Sequence, residues 1–187
     1  MKKKIDQFLI KYKTNLLDKL NFSFEDNANT IKKGILEIQK IKKQNKRIFI
    51  FGNGGSSAIC SHFASDISNI ANIKCHNFSE ATFITCFAND YGYENWCKKC
   101  IEIYGSSGDL LIAISSSGES KNILNVVKLA KIKKFSNIIS LSGFEKNNSL
   151  NKISKNHINI WVESKEYNII ENIHQVILLT MVDYFKK

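Results

Sequence analysis

Apolar and polar positions over the first forty-five residues follow a helical period. Ile5, Phe8, Leu9, Tyr12, Leu16 and Leu20 fall on one stripe, and Ile31, Ile35, Ile38 and Ile41 on a second. Ser23-x-x-Asp26 between them has the form of a capping box, so the pattern predicts two amphipathic N-terminal helices. From Arg47 onward the rhythm changes to short apolar runs at 48–51, 110–114, 138–141 and 158–162, the first three closed directly by Gly or Ser and the last by Glu163-Ser164. Runs of β-branched and apolar residues without polar alternation are what strands buried on both faces look like. Helical patterns fill 57–70, 91–104, 119–134 and 166–186. This alternation predicts an α/β fold: a three-layer sandwich around a mostly parallel sheet, with ligands beyond the carboxyl ends of the strands.

Length and composition narrow the picture. With 187 residues, 43% of them hydrophobic, the chain suits a single domain, with 1–45 as a helical extension. The net charge of +10 is mostly N-terminal, on the polar faces of the leading helices. Arg47 is the only arginine, which argues against a nucleic-acid partner, since phosphate and guanine recognition favours bidentate guanidinium contacts. Asp6, Gln7 and Lys11 break any signal-peptide core after Met1-Lys2-Lys3-Lys4, and no apolar stretch is long enough to span a bilayer, so a soluble cytoplasmic protein with no membrane partner is expected. Five cysteines then read as free thiols. Cys97-Lys98-Lys99-Cys100 follows Trp96 as in a redox motif, but Tyr93-Glu94-Asn95 reads as helix already under way, so core or surface thiols are expected. His76 and His157 are expected to be surface or packing residues.

Two loops carry candidate chemistry. The strand at 48–51 enters Gly52-Asn53-Gly54-Gly55-Ser56-Ser57 and then a helix, leaving backbone N–H groups that suit an anion, although a plain strand-to-helix turn has the same form. It matches neither the dinucleotide fingerprint nor a P-loop. The strand at 110–114 enters Ser115-Ser116-Ser117-Gly118-Glu119-Ser120, which offers four hydroxyls at another helix start. Two such loops at strand ends of one sheet make a site. Hydroxyls and amides with no arginine nearby point to a small phosphate monoester.

These loops, together with Asn89-Asp90-Tyr91-Gly92-Tyr93-Glu94 and Leu141-Ser142-Gly143, resemble the successive motifs of sugar isomerase (SIS) domains, which are flavodoxin-like, and specifically of the phosphoheptose isomerase branch. The resemblance covers nearly the whole chain. It implies interconversion of sedoheptulose 7-phosphate and a heptose 7-phosphate, for the heptose of surface polysaccharides. It places the phosphate on Ser115, Ser116, Ser117 and Ser120, the sugar near Asn53, Gly54, Gly55 and Ser56, and Asp90 against the substrate hydroxyls. It also implies a homotetramer.

Aldose–ketose isomerisation needs a base for a C–H proton and an acid or metal for the carbonyl oxygen. By the resemblance, these come from a His-x-x-x-Glu pair, here His62 and Asp66, and from a Gln and His eight residues apart on the last helix, here Glu171 and Leu179. Ile70 replaces an arginine. His174, one turn from Glu171, is a further catalytic candidate. The resemblance implies zinc, for which His62, Asp66 and Glu171 leave three ligands. Asp66 is the expected base and Glu171 the reserve. The substitutions at Asp66, Glu171 and Leu179 keep an alternative open: a non-catalytic SIS protein that binds a sugar phosphate or a protein partner, like the regulator that binds the initiator DnaA.

Overall fold

The computed structural model describes residues 2–186. Five parallel strands, β1 (Ile48–Phe51), β2 (Cys75–His76), β3 (Leu110–Ser115), β4 (Asn137–Ser142) and β5 (Ile158–Trp161), form one sheet in the order β2-β1-β3-β4-β5. The helices are α1 (Lys2–Lys43), α2 (Gly55–Ala71), α3 (Ala81–Tyr91), α4 (Trp96–Tyr104), α5 (Lys121–Ile132), α6 (Ser149–Ile153) and α7 (Tyr167–Asp183), with a 3-10 turn at Tyr93–Asn95. The α/β sandwich is as expected. The register pairs Phe51 with Ala113 and Ser115 with Ser142, so the loops after β1, β3 and β4 leave the same end of the sheet.

Alternation along the central strands feeds two cores. Ile48, Ile50, Leu110, Ile112 and Ile114 pack with α1, α2 and α7, while Phe49, Phe51, Leu111 and Ala113 pack with α4 and α5. Arg47, at the opposite end from the serine loop, is committed to structure. Its guanidinium pairs with the buried Asp109 at 2.9 Å, and Asp109 also accepts from the N–H groups of Arg47 and Ser106.

Where two leading helices were expected, α1 runs unbroken for 42 residues. The Ser23 hydroxyl donates back to the Lys19 carbonyl at 2.6 Å instead of capping a new helix. Asn27 then pins the segment to β5, donating to the Trp161 carbonyl at 3.1 Å and accepting from its N–H at 3.4 Å. With no proline to stop it, the helix continues. Ser23, Asn27, Ile31, Gly34, Ile38 and Ile41 form its buried stripe, while Ile5, Phe8 and Leu9 remain exposed.

Three elements escaped the periodicity: β2, α3 and α6. Each is short, and α3 buries none of its residues fully, its Phe83, Ile84 and Phe87 being only partly covered. Trp96 opens α4 after the 3-10 turn, which places Cys97 in a first helical turn after all. Both thiols are nonetheless buried, and burial raises Cys97 well above the usual thiol range and Cys100 to about 12, the opposite of redox activation. His76 stacks near Phe49 and Phe78, and His157 pairs with Asn137 at 3.0 Å, as packing residues do. No helix among the described residues is long and apolar enough to cross a membrane.

Candidate active site

At the carboxyl end of the sheet, Asn53, Ser56, Ile114, Ser115, Ser116, Ser117, Ser120, Tyr167 and Glu171 line a cavity of about 110 Å³. The serine loop is prepared from within. The Ser115 hydroxyl donates to Ser120 Oγ at 3.0 Å, the Glu119 N–H donates to Ser117 Oγ at 3.2 Å, and the Gly143 N–H ties the Ser116 carbonyl to the end of β4 at 2.8 Å. Among the described residues Ser116 Oγ is buried with no hydrogen-bond partner. A buried hydroxyl left unpaired costs roughly 1–3 kcal/mol, which a ligand oxygen in the cavity would offset.

The glycine loop is organised differently from a free anion cradle. Gly54 takes φ +54°, open to glycine at little cost, and sets the chain into α2. Glu171, from α7, comes down onto this turn: its Oε1 lies 3.3 Å from Ser56 Oγ, and a Cβ on Gly55 would meet its Cδ at 2.8 Å. A side chain at position 55 would therefore displace the Glu171 carboxylate from the turn. The anion at the N-terminus of α2 is supplied by the protein itself.

One and a half turns further along α2, His62 Nε2 faces Asp66 Oδ2 at 3.1 Å, and the amide of Gln175 lies 3.5 Å from His62 Nδ1. Gln175 escaped the sequence reading, although its place four residues after Glu171 puts it on the same face of α7. Glu171, Gln175 and the partly buried Leu179 thus form one row on α7, with Gly55, Ser56 and His62 on the side of α2 that meets it.

Three expectations change. His174 does not join the site: it is fully buried, its Nε2 lies 3.2 Å from the Ser142 carbonyl, and burial pushes its pKa down to about 4. Its position three residues after Glu171 turns it from the α2-facing row into the core. Asp90 stands apart from the cavity, exposed at the end of α3, with Asn89 donating to it at 3.0 Å. The zinc set is not assembled either. Among the described residues no three His, Cys, Asp or Glu side chains converge as metal ligands; His62 and Asp66 face one another while Glu171 lies on the turn at Gly55. This arrangement does not fit a three-ligand zinc site, and no step below runs through a metal. Glu119, inside the serine motif, also turns away. It accepts from the Ser149 hydroxyl at 2.6 Å and N–H at 2.8 Å, which holds its carboxyl below the usual range.

The model of the SIS domain family matches residues 11–143. A phosphoheptose isomerase of Histophilus somni is 35% identical over 146 residues, covering 73% of this chain and 74% of that protein. A phosphoheptose isomerase of Coxiella burnetii is 30% identical over 187 residues, covering 90% and 93%. In fold, the chain matches the structure of a phosphoheptose isomerase from Francisella tularensis with a TM-score of 0.89 at 22% identity, covering 96% of each chain. By sequence over most of its length, and with a serine loop, glycine loop and α2–α7 row in one place, the chain belongs to the phosphoheptose isomerase family of SIS-domain proteins.

Proposed function

We propose that this protein is an aldose–ketose isomerase that interconverts sedoheptulose 7-phosphate and heptose 7-phosphate, serving heptose synthesis for surface polysaccharide in the cytoplasm. The observation that carries this reading is the unpaired hydroxyl of Ser116, buried in a loop of serines with a carboxylate lining the same cavity. Phosphate fills the hydroxyl-lined end, and the sugar chain extends past Glu171 along the α2–α7 row.

Glu171 takes the base role. It lines the cavity, whereas Asp66 is paired to His62 and lies outside it. Its carboxylate removes the proton from the carbon beside the carbonyl, giving an enediolate; the proton of the neighbouring hydroxyl passes to the former carbonyl oxygen, and the Glu171 carboxyl returns its own proton to the former carbonyl carbon. Asn53, on the wall of the same cavity, donates to the oxygen on which negative charge develops.

The functional unit in this proposal is a homotetramer. Exposed Phe8 and Leu9 on α1, at 62% and 58%, and the apolar hollow formed by Phe83, Phe87, Ile103 and Tyr104 are the surfaces that subunit contacts would cover. Asp90 belongs to this same helix, α3, so assembly is what would bring it to a neighbour's site. Incubation with sedoheptulose 7-phosphate in deuterium oxide tests the reading: deuterium enters one carbon of the recovered sugar phosphate. No exchange over a panel of ketose and aldose phosphates would leave a binding protein in its place.

A further inference from the structure

Asn53 is held by neighbours that dictate what it can offer. Its Nδ2 donates to Asn122 Oδ1 at 3.0 Å, and Asn122 Nδ2 donates back to Asn53 Oδ1 at 2.8 Å. The Tyr93 hydroxyl donates to the same Asn53 oxygen at 3.1 Å. Asn122 sits in the first turn of α5, 2% exposed, and its amide is further fixed by Cys97 Sγ at 3.4 Å.

An amide has two acceptor lone pairs and two N–H donors. On Asn53 both lone pairs are occupied and one N–H is used, so a single N–H remains. We infer that Asn122, assisted by Tyr93, is a positioning residue that makes Asn53 a pure donor toward the bound sugar. A pure donor discriminates by charge. It bonds more strongly to an enediolate oxygen than to a hydroxyl, because charge-assisted hydrogen bonds are roughly twice as strong as neutral ones. The pair also joins the glycine loop to the first turn after the serine loop, so the donor is set relative to the phosphate before any sugar arrives. The inference rests on the isomerase reading for its choice of ligand, and on the four hydrogen bonds for its geometry.

The test compares three probes by calorimetric titration: a phosphorylated hydroxamate that mimics the heptose enediolate (a 6-phosphohexonohydroxamate), a hexitol 6-phosphate and inorganic phosphate. The unmodified protein is expected to prefer the hydroxamate to the alditol by about tenfold or more. In Asn122→Asp the group that donates to Asn53 Oδ1 becomes an acceptor that repels it, so the amide leaves the orientation that aims its free N–H at the pocket. That preference then collapses while inorganic phosphate binds as before. Tyr93→Phe, at an exposed ring that the fold does not need, shifts the preference the same way by a smaller factor. An unaltered preference in Tyr93→Phe, or in an Asn122→Asp protein that retains phosphate affinity, overturns the inference. Side-chain amide exchange, read by NMR in the unmodified protein, separates this from the function itself. One slowly exchanging Asn53 proton beside one fast proton supports the pair even if neither sugar analogue binds and the isomerase reading fails. Two fast protons overturn the pair.

Discussion

The carboxylate of Glu171 rests on the first turn of α2, 3.3 Å from the hydroxyl of Ser56 and so close to Gly55 that a side chain there would displace it. This places the carboxylate between the phosphate end of the cavity and the His62–Asp66 pair. It also separates the contributions of the two acids. General bases typically contribute ~100 to 10,000-fold. Glu171→Gln is expected to lower kcat within that range, whereas Asp66→Asn, which affects His62 and not the cavity, lowers it by less than about tenfold. Steady-state kinetics of both variants on sedoheptulose 7-phosphate check the order; the reverse order would return the base role to Asp66.

Ser116 makes an unusual trade visible. Removing its hydroxyl in Ser116→Ala relieves a buried group that has no partner, so the ligand-free variant is expected to be as stable as the parent or up to ~1 kcal/mol more stable, while phosphate affinity falls. Ser117→Ala and Ser120→Ala are each expected to weaken sugar-phosphate binding by ~1 to 2 kcal/mol with the fold intact. Urea melts and calorimetric titrations measure the two quantities. Loss of stability in Ser116→Ala would mean that its hydroxyl is satisfied within the protein.

His174 links stability to pH. Its pKa is about 4 in the fold, against about 6.5 in an unfolded chain. Between these values the unfolded chain binds the proton and the folded one does not. Stability contributed by the neutral buried ring is therefore complete above about pH 6.5 and falls as the pH drops toward 4, by up to roughly 3 kcal/mol. The difference between parent and His174→Gln isolates this from the carboxylates. Denaturation midpoints at pH 7 and pH 4.5 should converge for the two proteins at the lower pH; parallel curves would contradict the assignment.

The projecting part of α1 gives a test of assembly. Deleting residues 2–10 removes Ile5, Phe8 and Leu9 but spares Tyr12, Leu16 and Leu20, which pack partly buried on the core, and the stripe from Ser23 to Ile41. The truncated chain is expected to fold and to sediment as a smaller species than the parent. A parent that is monomeric at micromolar concentration would defeat the tetramer proposal.

Much of this was legible in the chain, for physical reasons that can be located. The strands announced themselves because a centre strand such as Leu110-Leu111-Ile112-Ala113-Ile114 is apolar on both faces. The serine and glycine loops were legible because two such clusters stand at strand ends of one sheet, where either alone could be a plain turn or helix cap. What stayed hidden depends on three-dimensional partners. Ser23 has the residue type of a cap, and only its bond to Lys19 and the docking of Asn27 on Trp161 show that α1 runs on. His174 and Gln175 are adjacent, and the phase of α7 alone sends one to Ser142 and the other to His62. Asn122 looked like an ordinary helical residue until its amide met that of Asn53.

The unbroken α1 also shapes how the chain is made. Its partners lie at the far end of the sequence: Asn27 bonds to Trp161, Asn15 to Glu166 and Gln39 to Tyr184. The segment can therefore complete these contacts only after β5 and α7 have left the ribosome. Until then the lysines along its other face would supply like-charge repulsion between such helices. The N-terminal basicity that argues so little for a nucleic-acid partner thus finds a use before the protein is finished.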